Sequence, residues 1–189
     1  MYVAVAGNIG VGKSSLTRLL SERYGLEPIY EAVDENPYLP DFYRDMRRWG
    51  FHSQMFFLAE RLRQHLRQVN PGERVIQDRT IYEDAAVFAG NLWREGVLDD
   101  RDHESYRRMY EAIASTLRPP DLLVYLRASV PTLKARIALR GRDYESGIAE
   151  AYLTRLNELY DAFVEGYDLS RVVVVPADEL DFVRSHDDR

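Results

Sequence analysis

Gly7-Asn8-Ile9-Gly10-Val11-Gly12-Lys13-Ser14 stands between an apolar pentad, Tyr2–Ala6, and the segment Ser14–Tyr24, where Leu16, Leu19 and Leu20 recur at helical spacing. The octet reads GxxxxGKS. A strand before it and a helix after it give the context that makes this pattern a phosphate loop. Glycines let backbone N–H groups close around phosphate oxygens, and the helix N-terminus adds partial positive charge. Lys13 can reach the β/γ oxygens, and the Ser14 hydroxyl can ligate Mg²⁺. Gly7, Asn8, Ile9, Gly10, Val11, Gly12 and Ser15 complete the expected nucleotide loop. The expected ligand is a nucleoside triphosphate.

Outward from this loop the chain alternates. Gly25 is placed to end the first helix. Extended segments are expected at Pro28–Val33, Arg74–Asp78, Asp121–Leu126 and Arg171–Ala177, the last nearly all valine. Helices are expected over 38–48, 51–69, 80–95, 101–116, 130–140 and 148–165. Short strands apolar on both faces, separated by helices, predict an α/β fold with a parallel sheet of about five strands covered by helices on both sides. Ligands in such folds sit at the carboxyl ends of the strands. A single domain is expected over 1–189, with a charged tail from about 178.

Composition narrows the function. The chain has 189 residues and a net charge of −6, so a sequence-independent DNA binder or an anionic-membrane binder is not expected. No apolar run is long enough to span a bilayer, and no basic region precedes the first apolar stretch as in a signal peptide. Zero cysteine excludes disulfides, a thiolate nucleophile and Cys-ligated metals, and fits a reducing cytoplasm.

Three further segments fall just after strands. Glu31 ends the second in YEAVDENPYL, Asp78-Arg79-Thr80 ends the third, and Arg136-x-x-x-Arg140-Gly141-Arg142-Asp143-Tyr144-Glu145 follows the fourth. With the phosphate loop these motifs resemble the deoxynucleoside kinase family. The stretch DENPYLPDFYRDMRRWGFHSQMFF is most similar to its bacterial deoxyadenosine/deoxyguanosine kinase branch. The resemblance runs from Tyr2 to about Tyr160 and implies a P-loop kinase fold with an arginine-rich lid at about 136–147.

The resemblance also implies roles. Glu31 would accept the proton of the nucleoside 5′-hydroxyl, and Arg79 would approach that oxygen and the carboxylate. Asp78 would face the Mg²⁺ beside Ser14, although the family usually writes Glu-Arg-Ser where this chain has Asp78-Arg79-Thr80. Arg136, Arg140 and Arg142 would close over the ATP phosphates, Arg140 and Arg142 stabilising charge on the transferring group. Tyr43 and Glu145 would meet the sugar 3′-hydroxyl, Gln54 and the Arg61–Asp84 pair the base edge, and Phe88 the base face. Asn36 stands where many animal members carry tryptophan, and Phe57 where some carry a small residue.

The implied reaction is ATP- and Mg²⁺-dependent phosphorylation of a deoxynucleoside, most simply a purine, with deoxycytidine as the alternative. A homodimer is expected from the family. A thymidylate-type monophosphate kinase would need cations where Glu31, Asp34 and Glu35 stand. A non-catalytic nucleotide switch would need no proton acceptor.

Overall fold

The computed structural model describes residues 1–31, 35–145 and 147–180. Asp34, the end of the expected second strand (Ala32 and Val33) and residues 181–189 of the expected tail lie outside the described residues. Five strands form one parallel sheet: β1 (Tyr2–Gly7), β2 (Glu27–Ile29), β3 (Val75–Asp78), β4 (Leu122–Arg127) and β5 (Arg171–Pro176), in the order β2-β3-β1-β4-β5.

The central strand β1 is buried along its whole length, and its side chains divide by parity. Val3 and Val5 join Leu16, Ile76, Val124, Leu133 and Ile137 on one face. Ala4 and Ala6 join Leu123, Tyr125, Leu156 and Tyr160 on the other. Helices α1 (Lys13–Tyr24) and α7 (Val130–Arg140) supply the first layer, and α8 (Glu150–Glu165) the second. Burying a residue of this kind stabilises the fold by roughly 1.5–3 kcal/mol.

Register places the chemistry. Val5 pairs with Asp78, so the end of β3 lies beside the start of the phosphate loop. Gly10 has φ 81°, and a Cβ there would meet Ile137 Cγ1 at 2.7 Å and Leu133 O at 3.0 Å, so the loop is held tightly against α7.

Several expectations need correction. Among the described residues of the expected second strand and its start, only Glu27–Ile29 pairs as β2. The strand β5 is an edge, with Val173 and Val174 42% and 49% exposed, so coverage on both faces does not extend to it among the described residues. The helices expected over 38–48 and 51–69 are instead α2 (Leu39–Arg44) and α3 (Met46–Gln64), the latter running on through a π-helical turn, His65–Val69, to the expected end. Asp45 sets the break by capping Arg48 N–H at 3.2 Å. Gly50 lies inside α3, where a Cβ would sit 3.0 Å from Val97 Cγ1. Its small size answers a close approach, not a turn. The expected helix over 80–95 runs as α4 (Ile81–Glu83), a π-helical turn Asp84–Ala89, and α5 (Gly90–Arg94). The remaining helix, α6, spans Asp100–Ala114.

Candidate active site

At the carboxyl ends of β1 and β3 the phosphate loop opens onto a cavity of about 620 Å³. Ile9, Gly10, Gly12, Lys13, Ser14 and Ser15 line it. Gly7, Asn8 and Val11 instead brace the loop from behind. Gly7 N–H faces Glu83 Oε2 at 3.4 Å, and the Asn8 amide donates to Leu153 O and Asn157 Oδ1. The Val11 carbonyl accepts from Arg136. Lys13 is buried, and its Nζ turns back onto Asn8 O at 3.0 Å. Burial first, then Arg79, pull its pKa down to about 8. The loop thus holds a cation that a phosphate would relieve.

Ser14 Oγ donates to Asp78 Oδ2, while Asp78 Oδ1 is buried without a hydrogen-bond partner. Among the described residues no group of three or more His, Cys, Asp or Glu is arranged to hold a metal. Mg²⁺ does not need one, because it takes one or two protein oxygens and completes its shell with phosphates and water. The hydroxyl and the orphan carboxylate oxygen fit that requirement.

Glu31 lies between two guanidinium groups. Arg61 Nη2 donates to its Oε1 at 2.7 Å, and Arg79 Nε lies 3.0 Å from the same oxygen, an ion-pair contact not aligned as a hydrogen bond. Burial would raise the Glu31 pKa, but Arg79, Arg61 and Lys13 outweigh it and hold the carboxyl well below the usual carboxylate range. Arg79 itself has φ 67°, the left-handed region that non-glycine residues rarely adopt.

Arg61 continues toward the far end of the cavity, where its Nε pairs with Asp84. Burial opposes the charge on Arg61, but Asp84 and Glu31 outweigh it and raise its pKa above the ordinary arginine value. The π-helical turn carries both Asp84 and Phe88 into the cavity; such turns concentrate at functional sites. Gln54 and Tyr43 line the same space, and the Tyr43 ring stacks on Tyr144 at 6.1 Å. Phe57 narrows the pocket beneath Arg61, whose guanidinium carbon stands 5.4 Å from the ring centre. Asn36 is tied to Ser53 Oγ at 3.1 Å.

The lid arginines divide. Arg140 and Arg142 both pair with Glu145, a buried carboxylate in the turn Asp143–Glu145. Arg136, expected on the ATP phosphates, donates to the carbonyls of Val11, Ala177 and Leu180 at 2.7–2.9 Å. Its guanidinium brackets the phosphate loop to the segment after β5.

Comparison with known proteins shows the family. The deoxynucleoside kinase family model matches residues 3–189. The chain belongs to the deoxynucleoside kinase family. It is 36% identical over 183 residues to the deoxyadenosine/deoxycytidine kinase of Bacillus subtilis (strain 168), covering 96% of this chain and 84% of that protein. It is 34% identical to the deoxyguanosine kinase of the same organism, covering 99% of this chain and 91% of that protein. The structure of deoxyadenosine kinase from M. mycoides with products dCMP and a flexible dCDP bound superposes with a TM-score of 0.87 at 35% identity, over 96% of this chain and 93% of that one. The same enzyme with bound dATP gives a TM-score of 0.85, again at 35% identity and over 96% and 93% of the two chains.

In this kinase the cavity brings together every residue expected to meet the nucleoside, with Lys13, Ser14, Asp78, Arg136, Arg140 and Arg142. Sequence reasoning missed Tyr160, whose hydroxyl accepts from Arg79 Nη1 at 2.7 Å, and Tyr152, which lines the cavity. It also missed Glu83, although Thr80-x-x-Glu83 has the form of a capping box and is one here.

Proposed function

We propose that this deoxynucleoside kinase transfers the γ-phosphoryl group of ATP to the 5′-hydroxyl of a purine deoxynucleoside, deoxyguanosine or deoxyadenosine. The observation that carries this reading is one cavity joining the phosphate loop, Glu31 and the Arg61–Asp84 pair. Glu31, kept ionised, accepts the hydroxyl proton. Its low basicity suffices because a loose phosphoryl-transfer transition state asks more for positioning than for prior deprotonation. Arg79 holds Glu31 and neutralises charge near the entering oxygen. Arg140 and Arg142 exchange Glu145 for the phosphates, which frees Glu145 for the sugar 3′-hydroxyl. When bound at Ser14 and Asp78, Mg²⁺ would neutralise charge on the β/γ oxygens.

Base choice follows from the donors. Asp84 accepts and Arg61 donates, so the pair suits an exocyclic amine or the O6/N7 edge of guanine. The carbonyl of thymine would face the carboxylate, a mismatch that costs about 1–3 kcal/mol when buried. Deoxycytidine is the second reading, favoured by the similarity to the Bacillus subtilis deoxyadenosine/deoxycytidine kinase and to the M. mycoides enzyme with dCMP bound. The reading includes a homodimer and a cytoplasmic setting. No described helix is long and apolar enough to cross a membrane.

The test is competition among the four deoxynucleosides, with thymidylate as a fifth acceptor, at one ATP concentration. The expected outcome is highest kcat/KM for a purine deoxynucleoside. Thymidine as best substrate would remove the base argument; deoxycytidine would remove only its last step; thymidylate would replace it with the monophosphate kinase reading.

A further inference from the structure

Behind the reacting groups lies a fully buried cluster that the reaction does not touch. Glu83 and Tyr160 are 0% exposed. Glu83 Oε1 accepts Thr80 N–H at 2.7 Å, and Oε2 faces Gly7 N–H, the first amide of the phosphate loop, at 3.4 Å. The Tyr160 hydroxyl accepts from Arg79 Nη1 at 2.7 Å and stands beside the Glu83 carboxylate. A line of polar contacts therefore runs from the phosphate loop through one carboxylate and one phenol to the guanidinium beside Glu31.

Arg79 needs such support. Its left-handed backbone is of the strained kind that persists only where the surroundings over-determine it. Its own N–H is tied to Val5 O at 3.0 Å, and its guanidinium carbon stands 4.4 Å from the Phe88 ring centre. These contacts fix the backbone and one face of the guanidinium. Its rotation about that face is set by Glu31 beside Nε and by Tyr160 on Nη1. Tyr160 is in turn fixed by its ring, stacked on Tyr125 at 5.8 Å and edge-on to Phe88 at 6.1 Å.

We propose that Glu83 and Tyr160 are positioning residues for Arg79, Tyr160 setting the guanidinium against Glu31 and Glu83 tying that setting to the phosphate loop. Neither residue lines the cavity, so neither is a catalytic residue. The capping box supplies the fixed end: it starts the helix after Thr80 and anchors the Glu83 carboxylate at the same time. The proposal rests on the assignment of Arg79 to the reaction made above.

The test is steady-state kinetics with thermal melts on Tyr160→Phe, Glu83→Gln, Arg79→Lys and the double variant Arg79→Lys/Tyr160→Phe. Tyr160→Phe keeps the stacked ring and removes only the hydroxyl. It should lower kcat about tenfold to a hundredfold, the scale on which a misplaced group acts, with both KM values changed by less than about threefold. Glu83→Gln sets an amide N–H₂ against donors and should give the same split, smaller in size. Should Tyr160→Phe melt too low to assay, Glu83→Gln decides by the same criterion, since it leaves the rings untouched. The double variant should be no slower than Arg79→Lys alone, because the phenol acts only through Arg79. Full kcat in Tyr160→Phe beside a defective Arg79→Lys, or losses that simply add in the double variant, would overturn the positioning role. Full turnover in Arg79→Lys would remove the catalytic assignment of Arg79 and this proposal with it.

Discussion

Arg61 Nη2 donates to Glu31 Oε1 across 2.7 Å, so the cation of the base pocket is also the partner of the carboxylate beside the phosphate loop. The same guanidinium holds Asp84 through Nε. Arg61 and Asp84 are removed from water and Glu31 is only 15% exposed, a setting where charge-assisted bonds are strong and a lost partner is expensive. A base that draws on Arg61 or Asp84 therefore acts on the orientation of Glu31. On the function proposed above, recognition and reaction share one ion network.

Replacing Glu31 tests the reactive end of that network. Glu31→Gln keeps the shape and loses the charge, and kcat should fall by roughly 10²–10⁴ with little change in nucleoside KM. It also strips the shared anion from Arg61 and Arg79, so the melting temperature should fall, by the equivalent of about 1–3 kcal/mol. Glu35 is the control. Its side chain is 66% exposed and its ion pair with Arg63 is long at 3.8 Å, so Glu35→Gln should match the wild type. The reverse pattern in kcat would move the proton acceptor to the other acid.

The sequence made some of this legible and hid the rest for physical reasons. Gly10, Gly12, Lys13 and Ser14 act through a loop of local geometry, so their spacing alone announces the site. Asp78 and Arg79 are visible because strand ends in a parallel sheet collect at one edge. Tyr160 is 81 residues from Arg79, and a tyrosine on an apolar helix face has no signature that separates core from arm. The π-helical turn at Asp84–Ala89 adds part of a residue per turn, which a 3.6-residue period cannot register. Arg136 shares the Arg-x-x-x-Arg spacing of Arg140 but meets carbonyls from segments distant in the chain. Its spacing describes the helix face and not the partner.

Lys13→Ala should separate function from stability. The folded chain disfavours the Lys13 charge, through burial and then Arg79, until a phosphate arrives. Turnover should fall by about 10²–10³-fold or more, the scale of one preorganised electrostatic group. The melting temperature without nucleotide should not fall. A variant that keeps its turnover would show that this loop is not the phosphate site in the reaction.

For the lid, Arg140→Ala and Arg142→Ala should lower kcat more than they raise the KM for ATP, because the charge they meet develops in the transition state. An arginine in that role is worth roughly 10³–10⁵ in rate. Glu145 is expected to behave differently. Its carboxylate is 4% exposed and holds both arginines here, so Glu145→Gln should loosen the lid and raise nucleoside KM through the lost 3′-hydroxyl contact. Equal losses in kcat and ATP affinity for the arginine variants would point to ground-state binding instead.

The last prediction concerns pH and lies away from the site. His65 is buried against the edge of Tyr2, with Nε2 2.9 Å from Arg118 O and Nδ1 buried without a partner. In the neutral form Nε2–H donates to the carbonyl, and Nδ1 needs no proton. Protonation would place a second N–H where there is no acceptor. Burial, followed by the Arg118 charge and despite the carbonyl bond that opposes both, lowers the His65 pKa from its ordinary value. The unfolded chain therefore binds the proton more readily than the folded one below about pH 6.5. The His65 contribution to stability is fully present above that pH and is lost progressively as the pH falls through the lowered value. His65→Gln can still donate to Arg118 O but cannot titrate. Melting temperatures of both proteins at about pH 7.5 and about pH 5.5 check this. The acid-induced drop should be smaller in His65→Gln than in the wild type. Equal drops in the two proteins would assign the acid sensitivity to the carboxylates alone.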